Sequence, residues 1–163
     1  MIIVSDTTPL ISLMKVSKLN VLKSLFGKVI IPDAVYKELT DNERFSEEAE
    51  LIRNCDFIEI IAVNDRLSVV SLQLKSGLDL GETEAIICAE ENKADTILMD
   101  EAAGRRTAKS LGLNIMGTIG ILLSAYEDSV LSAEEVREAL NKLRMSNRHI
   151  SENLLNVALE KLK

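Results

Sequence analysis

Aromatic side chains are scarce in this sequence: tryptophan is absent, and three Phe and two Tyr are scattered along 163 residues. A stacking platform for RNA bases needs clustered aromatics, so that class of nucleic-acid binder is excluded. The core must instead be built from Ile, Leu, Val and Ala. Histidine occurs once, at position 149, and cysteine twice, at positions 55 and 88, with no CxxC spacing. A zinc site needs more thiol and imidazole than that. Cys88 lies in Ala85-Ile86-Ile87-Cys88-Ala89 and reads as a small core residue. A Ser-His-Asp centre would have to use His149, and no nucleophile elbow accompanies it. Neither GxGxxG nor GxxxxGK[ST] occurs, which sets aside the dinucleotide fingerprint and the phosphate loop. No apolar run approaches the ~18 residues that span a bilayer. Asp6 and Pro9 interrupt the apolar start, unlike a signal peptide. The expectation is a protein of the cytoplasm with no membrane partner.

Acid is plentiful. The net charge is −7, unevenly spread: residues 1–40 carry +2, residues 41–100 carry −10 and residues 101–163 carry +1. Such a balance weighs against non-specific nucleic-acid binding without excluding it. A basic rim is expected from Lys15, Lys18, Arg105, Arg106 and Lys109.

Short β-branched runs alternate with helical patterns, the signature of βαβ units and a parallel sheet. Strands are expected at 2–5, 28–31, 57–61, 96–99 and 114–116. Between them, helices are expected after Pro9, across Leu19 to Phe26, after Pro32-Asp33, at 45–54, at 65–75, from Gly81 to about Asn92, at 101–111 and at 117–127. Gly112 is expected to cap the helix before it. Ser132-Ala133-Glu134-Glu135 has the form of a capping box and opens a helix striped by Val136, Leu140 and Leu143. A second helix from Ser151 carries Leu154, Leu155, Ala158, Leu159 and Leu162 on one face. These two faces are expected to pack on the domain, with a dimer or partner surface as the alternative. The chain reads as one domain over 1–163, with a core at about 1–127 and a helical extension at about 128–163.

Four acids punctuate this pattern. Asp6 ends the run Ile2-Ile3-Val4-Ser5, and Asp100 ends Thr96-Ile97-Leu98-Met99. Glu38 lies in the helix after Val29-Ile30-Ile31, and Glu84 stands where the Gly81 helix opens. Parallel sheets bind ligands outside the carboxyl ends of their strands. Like charges gathered there are costly without a cation, and hard oxygen donors suit Mg²⁺ or Mn²⁺. The expected metal ligands are Asp6, Glu84 and Asp100, with Glu38 orienting a water. Thr7 and Glu82 are expected to support them; Glu82 is also the backup ligand, and Glu101 is expected to be solvated while remaining a weaker candidate ligand. Asp6, Asp100 and the Glu pair each also suit helix N-termini, where acids and caps are favoured regardless of function.

The stretch Ser5-Asp6-Thr7-Thr8-Pro9-Leu10-Ile11 resembles the opening of the PIN-domain family, the nuclease fold of VapC-type toxins, and more closely its DUF3368-type subgroup. Ile31-Pro32 leading to Glu38, Leu80-Gly81-Glu82-Thr83-Glu84-Ala85-Ile86, and Met99-Asp100-Glu101 with Arg105 follow in the same order. The resemblance covers roughly residues 1–127. It implies a three-layer α/β/α sandwich with a central parallel sheet. It also implies a metal-dependent endoribonuclease acting on single-stranded RNA, with Asp6, Glu38, Glu84 and Asp100 as the acidic site. Further implications are a homodimer and, for a toxin, a small antitoxin protein as partner. Arg105 and Lys109, one turn apart, are expected to contact the substrate backbone. The alternatives are a catalytically weak binding module working through protein partners, and a metal-dependent phosphatase.

Overall fold

The computed structural model describes residues 1–146 and 150–162; His149 lies outside them. Five short parallel strands form the sheet: β1 (Ile3–Ser5), β2 (Val29–Pro32), β3 (Ile58–Ile61), β4 (Thr96–Leu98) and β5 (Ile115–Met116), in the order β3-β2-β1-β4-β5. Val4 pairs with Ile30 on one side and Ile97 on the other, so β1 is central. The chain adds strands on one side of β1 up to β3, then crosses to β4. That reversal between β1 and β4 is a topological switch point, where the connections leave a crevice at the carboxyl edge.

Side chains alternate across the sheet because successive Cβ atoms of a strand point to opposite faces. Ile3, Ile31 and Leu98 enter one core, and Val4, Ile97 and Met99 the other. The first core is closed by α1 (Thr7–Lys15), α2 (Val21–Phe26), α3 (Asp33–Asp41), α4 (Ser46–Arg53) and α8 (Thr118–Glu127). The second is closed by α5 (Arg66–Ser76), α6 (Leu80–Glu91) and α7 (Ala102–Ser110). The result is an α/β/α sandwich. Leu19 falls in the turn before α2 rather than within it. Gly112 closes α7 as expected: it follows the Leu111 cap with φ +82°, its N–H donates to the Lys109 carbonyl at 3.0 Å, and the Leu113 N–H donates to the Ala108 carbonyl at 3.1 Å.

The C-terminal helices α9 (Ala133–Met145) and α10 (Glu152–Lys161) return to the first core. Leu140, Leu143 and Leu155 are fully or nearly fully buried in the same cluster as Leu13 and Leu122. The expected capping box is formed: the Ser132 hydroxyl accepts from the Glu135 N–H at 3.1 Å, and the Glu135 carboxylate accepts from the Ser132 N–H at 2.8 Å. Among the described residues no helix is long and apolar enough to cross a membrane.

Candidate active site

Asp6 leaves β1 at its carboxyl end and occupies the N-cap position of α1. Its side chain does not cap that helix. The Asp6 N–H is spent on the Leu98 carbonyl at 2.9 Å, which fixes the residue between β1 and β4 at the switch point. The side chain is 2% exposed. Burial, opposed by the Thr7 N–H and reinforced by the charges of Glu82, Asp79 and Glu38, pushes its carboxyl up to about 8. A carboxylate with that many acidic neighbours and, among the described residues, no basic one lining its cleft favours its neutral form until a cation arrives.

Those neighbours come from α3 and the start of α6, around a cleft of about 280 Å³ lined by Asp6, Thr7, Thr8, Glu38, Asp79, Glu82 and Glu101. Glu38 projects from α3, and its Oε2 accepts the Thr7 hydroxyl at 2.9 Å. Although Glu38 is exposed as a residue, the desolvation of its carboxyl in the cleft raises its pKa. Asp79 and Glu82 open α6 as a second capping box. The Asp79 Oδ1 accepts from the Glu82 N–H at 2.8 Å, and the Glu82 Oε2 accepts from the Asp79 N–H at 3.1 Å. Each carboxylate uses one oxygen in this exchange, and both residues line the cleft. Burial raises the pKa of Glu82, with Asp79, Glu101 and Glu38 adding to it. Gly81 lies beneath: a Cβ there would come within 2.9 Å of Glu38 Oε2, so the backbone makes room for that carboxylate.

The expected site is only partly assembled. Glu84, expected as a metal ligand, does not reach this cleft. It is 3% exposed, accepts the Ala34 N–H at 3.1 Å and pairs with Arg66 at 2.9 Å, tying α6 to α3 and α5. The reason is helical phase. Glu84 is two residues and about 200° round the helix from Glu82, so only one of them can face Asp6. Glu82 is the one that does. Asp100 stands beside the acidic cleft rather than in its lining. Its two oxygens accept the Thr118 N–H at 2.7 Å and the Thr118 hydroxyl at 2.6 Å, which anchors β4 to the start of α8. Glu101, expected to be solvated, lines the cleft although exposed. Asp79 is a cleft residue that the sequence reading passed over. Its signal was present as Asp79-Leu80-Gly81-Glu82, a cap followed three residues later by Glu.

The expected basic rim dissolves in part. Lys15 is paired with Glu48 at 2.6 Å and Lys18 with Glu135 at 3.2 Å. Arg105 remains beside the site, donating from Nη1 to the Met99 carbonyl at 2.8 Å. Lys109 and Arg106 are exposed on α7 and line neither this cleft nor the larger one next to it.

The donor chemistry fits a hard divalent cation, being all oxygen and strongly anionic. Among the described residues, however, no three His, Cys, Asp or Glu side chains already converge closely enough to hold an ion.

A parallel five-stranded sandwich with acids gathered at the β1/β4 switch point defines a PIN domain. The family model described as DUF3368: PIN domain matches residues 2–163, and the chain belongs to that family. No curated protein matches the chain. PIN domains are generally nucleases and typically use divalent metals, which supports a hydrolase role for this one.

Proposed function

We propose that the protein is an endoribonuclease that hydrolyses phosphodiester bonds of single-stranded RNA with Mg²⁺ or Mn²⁺. The observation that carries this reading is Asp6, a buried carboxylate pushed to about 8 among four further acids at the carboxyl edge of the sheet. Burying such a group is unfavourable unless it is neutralised, and a divalent ion neutralises it while its oxygens remain donors.

In this reading Asp6 and Glu82 hold the ion from the floor of the cleft, with Asp79 and Glu38 at its edge. The bound ion would lower the pKa of a water and offset charge on the leaving oxygen. Glu38, steadied by the Thr7 hydroxyl, would take a proton from that water; the burial that raises its pKa makes it a better proton acceptor than an exposed carboxylate. Asp100, held by Thr118, fixes the wall between β4 and α8, and Arg105 offers a cation to the substrate beside it. Glu84 serves the scaffold through Arg66 and Ala34.

The test is cleavage of labelled single-stranded RNA with Mn²⁺, Mg²⁺ or EDTA by the wild type, Asp6→Asn and Glu82→Gln. Metal-dependent cutting that falls about 100-fold or more in both variants is expected. Cutting that survives both substitutions would overturn the site, and turnover of a small phosphate ester without RNA would favour a phosphatase. A toxin role, an antitoxin partner and a homodimer rest on the family resemblance. Co-purification of a small protein with this one, and sedimentation of the purified protein, would test them.

A further inference from the structure

Three large aliphatic side chains of α5 face solvent: Leu67 is 85% exposed, Val70 54% and Leu74 82%. Single exposed leucines need no explanation, but these recur at i, i+3 and i+7, which places them within about 60° of one another around the helix. Ser71 is exposed beside them and is small enough to let another helix approach. The opposite face anchors α5, with Val69 buried in the second core and Leu72 packed against it. The helix is therefore held on one side and apolar on the other, with the spacing of a two-helix seam.

Its charges indicate what fits there. Asp65 caps the helix five residues before Val70, and Lys75 lies five residues after it; both are exposed. Among the described residues Lys75 is in no ion pair. Arg66, the other cation of the helix, is turned to Glu84 at 2.9 Å. Leu67 stands three residues before Val70, and Leu74 four after it. A face laid out in this way about one residue is complementary to itself. A second copy, antiparallel across a twofold axis at Val70, brings Lys75 level with the partner's Asp65 and Leu67 level with the partner's Leu74. Antiparallel helices also set each N-terminus beside a C-terminus, which their dipoles favour. An anionic lipid surface fits less well, because the chain carries a net charge of −7.

We propose that α5 is the face through which two copies of this chain associate, Leu67, Val70 and Leu74 of each helix packing against those of the other. The inference does not depend on the ribonuclease reading. Three apolar side chains are far fewer than the roughly 20–30 residues a side of a standard interface, so the association is weak and reversible, with an expected Kd of about 1–100 μM.

Sedimentation velocity from about 1 to 500 μM compares wild type with Leu74→Glu and Lys75→Glu, two substitutions at exposed positions. Circular dichroism and melting establish that each variant folds. The wild type is expected to pass from monomer to dimer across that range. Leu74→Glu is expected to stay monomeric, its Kd raised about 30-fold or more. Lys75→Glu sets acid against Asp65 and is expected to weaken association about fivefold at low salt but less than about twofold at ~0.5 M salt. Val70→Cys fixes the position: oxidation with diamide is expected to yield a covalent dimer joined at the twofold axis. The wild type, whose Cys55 is half-buried and Cys88 buried, is expected to stay uncrosslinked. A wild type that is monomeric at every concentration overturns the proposal. A dimer that tolerates Leu74→Glu and leaves Val70→Cys uncrosslinked also overturns it, by placing the contact elsewhere. Flotation of monomeric wild type with phosphatidylglycerol vesicles, lost in Leu74→Glu, would overturn it in favour of a membrane surface.

Discussion

Asp6 sets the electrostatics of the cleft, and its protonation has a consequence for stability. The carboxyl titrates near 8 in the fold and near 3.8 when exposed. Between those values the folded chain binds more protons than the unfolded one, so metal-free stability falls as pH rises through that window and levels off above it. Glu38 and Glu82 shift in the same direction and add to the slope. Asp6→Asn removes the largest of these contributions. In EDTA at neutral pH it is expected to be more stable than wild type by roughly 2–4 kcal/mol, with the difference vanishing near pH 4. Urea unfolding from pH 4 to 8.5 measures this. Parallel curves for the two proteins would mean that Asp6 ionises at its ordinary value and is not desolvated. The same substitution is expected to abolish cleavage, so stability and activity move in opposite directions, as they do where a site stores unfavourable charge.

The element that distributes the acids is α6. Its first turn sends Glu82 into the cleft, its second turn sends Glu84 to Arg66, and Gly81 passes under Glu38. Gly81→Ala tests this arrangement. Alanine favours the helix by up to about 1 kcal/mol over glycine. Its Cβ, however, would meet Glu38 Oε2 at 2.9 Å, and that flexible carboxylate would have to swing away from Thr7. Thermal stability is expected to change by less than about 1 kcal/mol, while kcat on RNA falls about tenfold. Full activity in a folded Gly81→Ala protein would remove Glu38 from the reaction. This helix also shows where the sequence stops being legible. The strands and the acids after them could be read because buried strands are apolar runs and a carboxylate after such a run is conspicuous. Choosing between Glu82 and Glu84 required the helical phase, which turns on whether the helix starts at Leu80 or Gly81. The cap at Asp79 fixes that start. Asp100 was read from its strand but not from Thr118, eighteen residues on, whose two donors occupy its oxygens. Pairings across that distance, like those of Lys15 with Glu48 and Lys18 with Glu135, depend on tertiary packing that no local pattern records.

At the scale of the molecule, the amphipathic stripes of the C-terminal helices left open whether they covered this domain or another surface. Most of those residues are buried here: Val136, Leu140 and Leu143 of α9 and Leu155, Ala158 and Leu162 at α10 share a cluster with Ile3 of the sheet and Leu13 of α1, while Leu159 is half-buried and Leu154 stays exposed. A cluster that spans both ends of the chain couples them energetically, so damage at α9 should unfold the sheet as well. Leu140, fully buried, is the position to test. Leu140→Ala deletes three buried carbons and leaves a cavity, at an expected cost of about 2–5 kcal/mol. Because the cluster is shared, the loss should appear as one cooperative transition. Circular dichroism and the fluorescence of Tyr36 and Tyr126, which pack against that core from α3 and α8, should report the same midpoint. Two separated transitions, with α9 and α10 melting first and the sheet unchanged, would make those helices an appendage. The wall that Leu154 and Lys161 give to the larger cleft beside the site would then be free to leave it without loss of the PIN core.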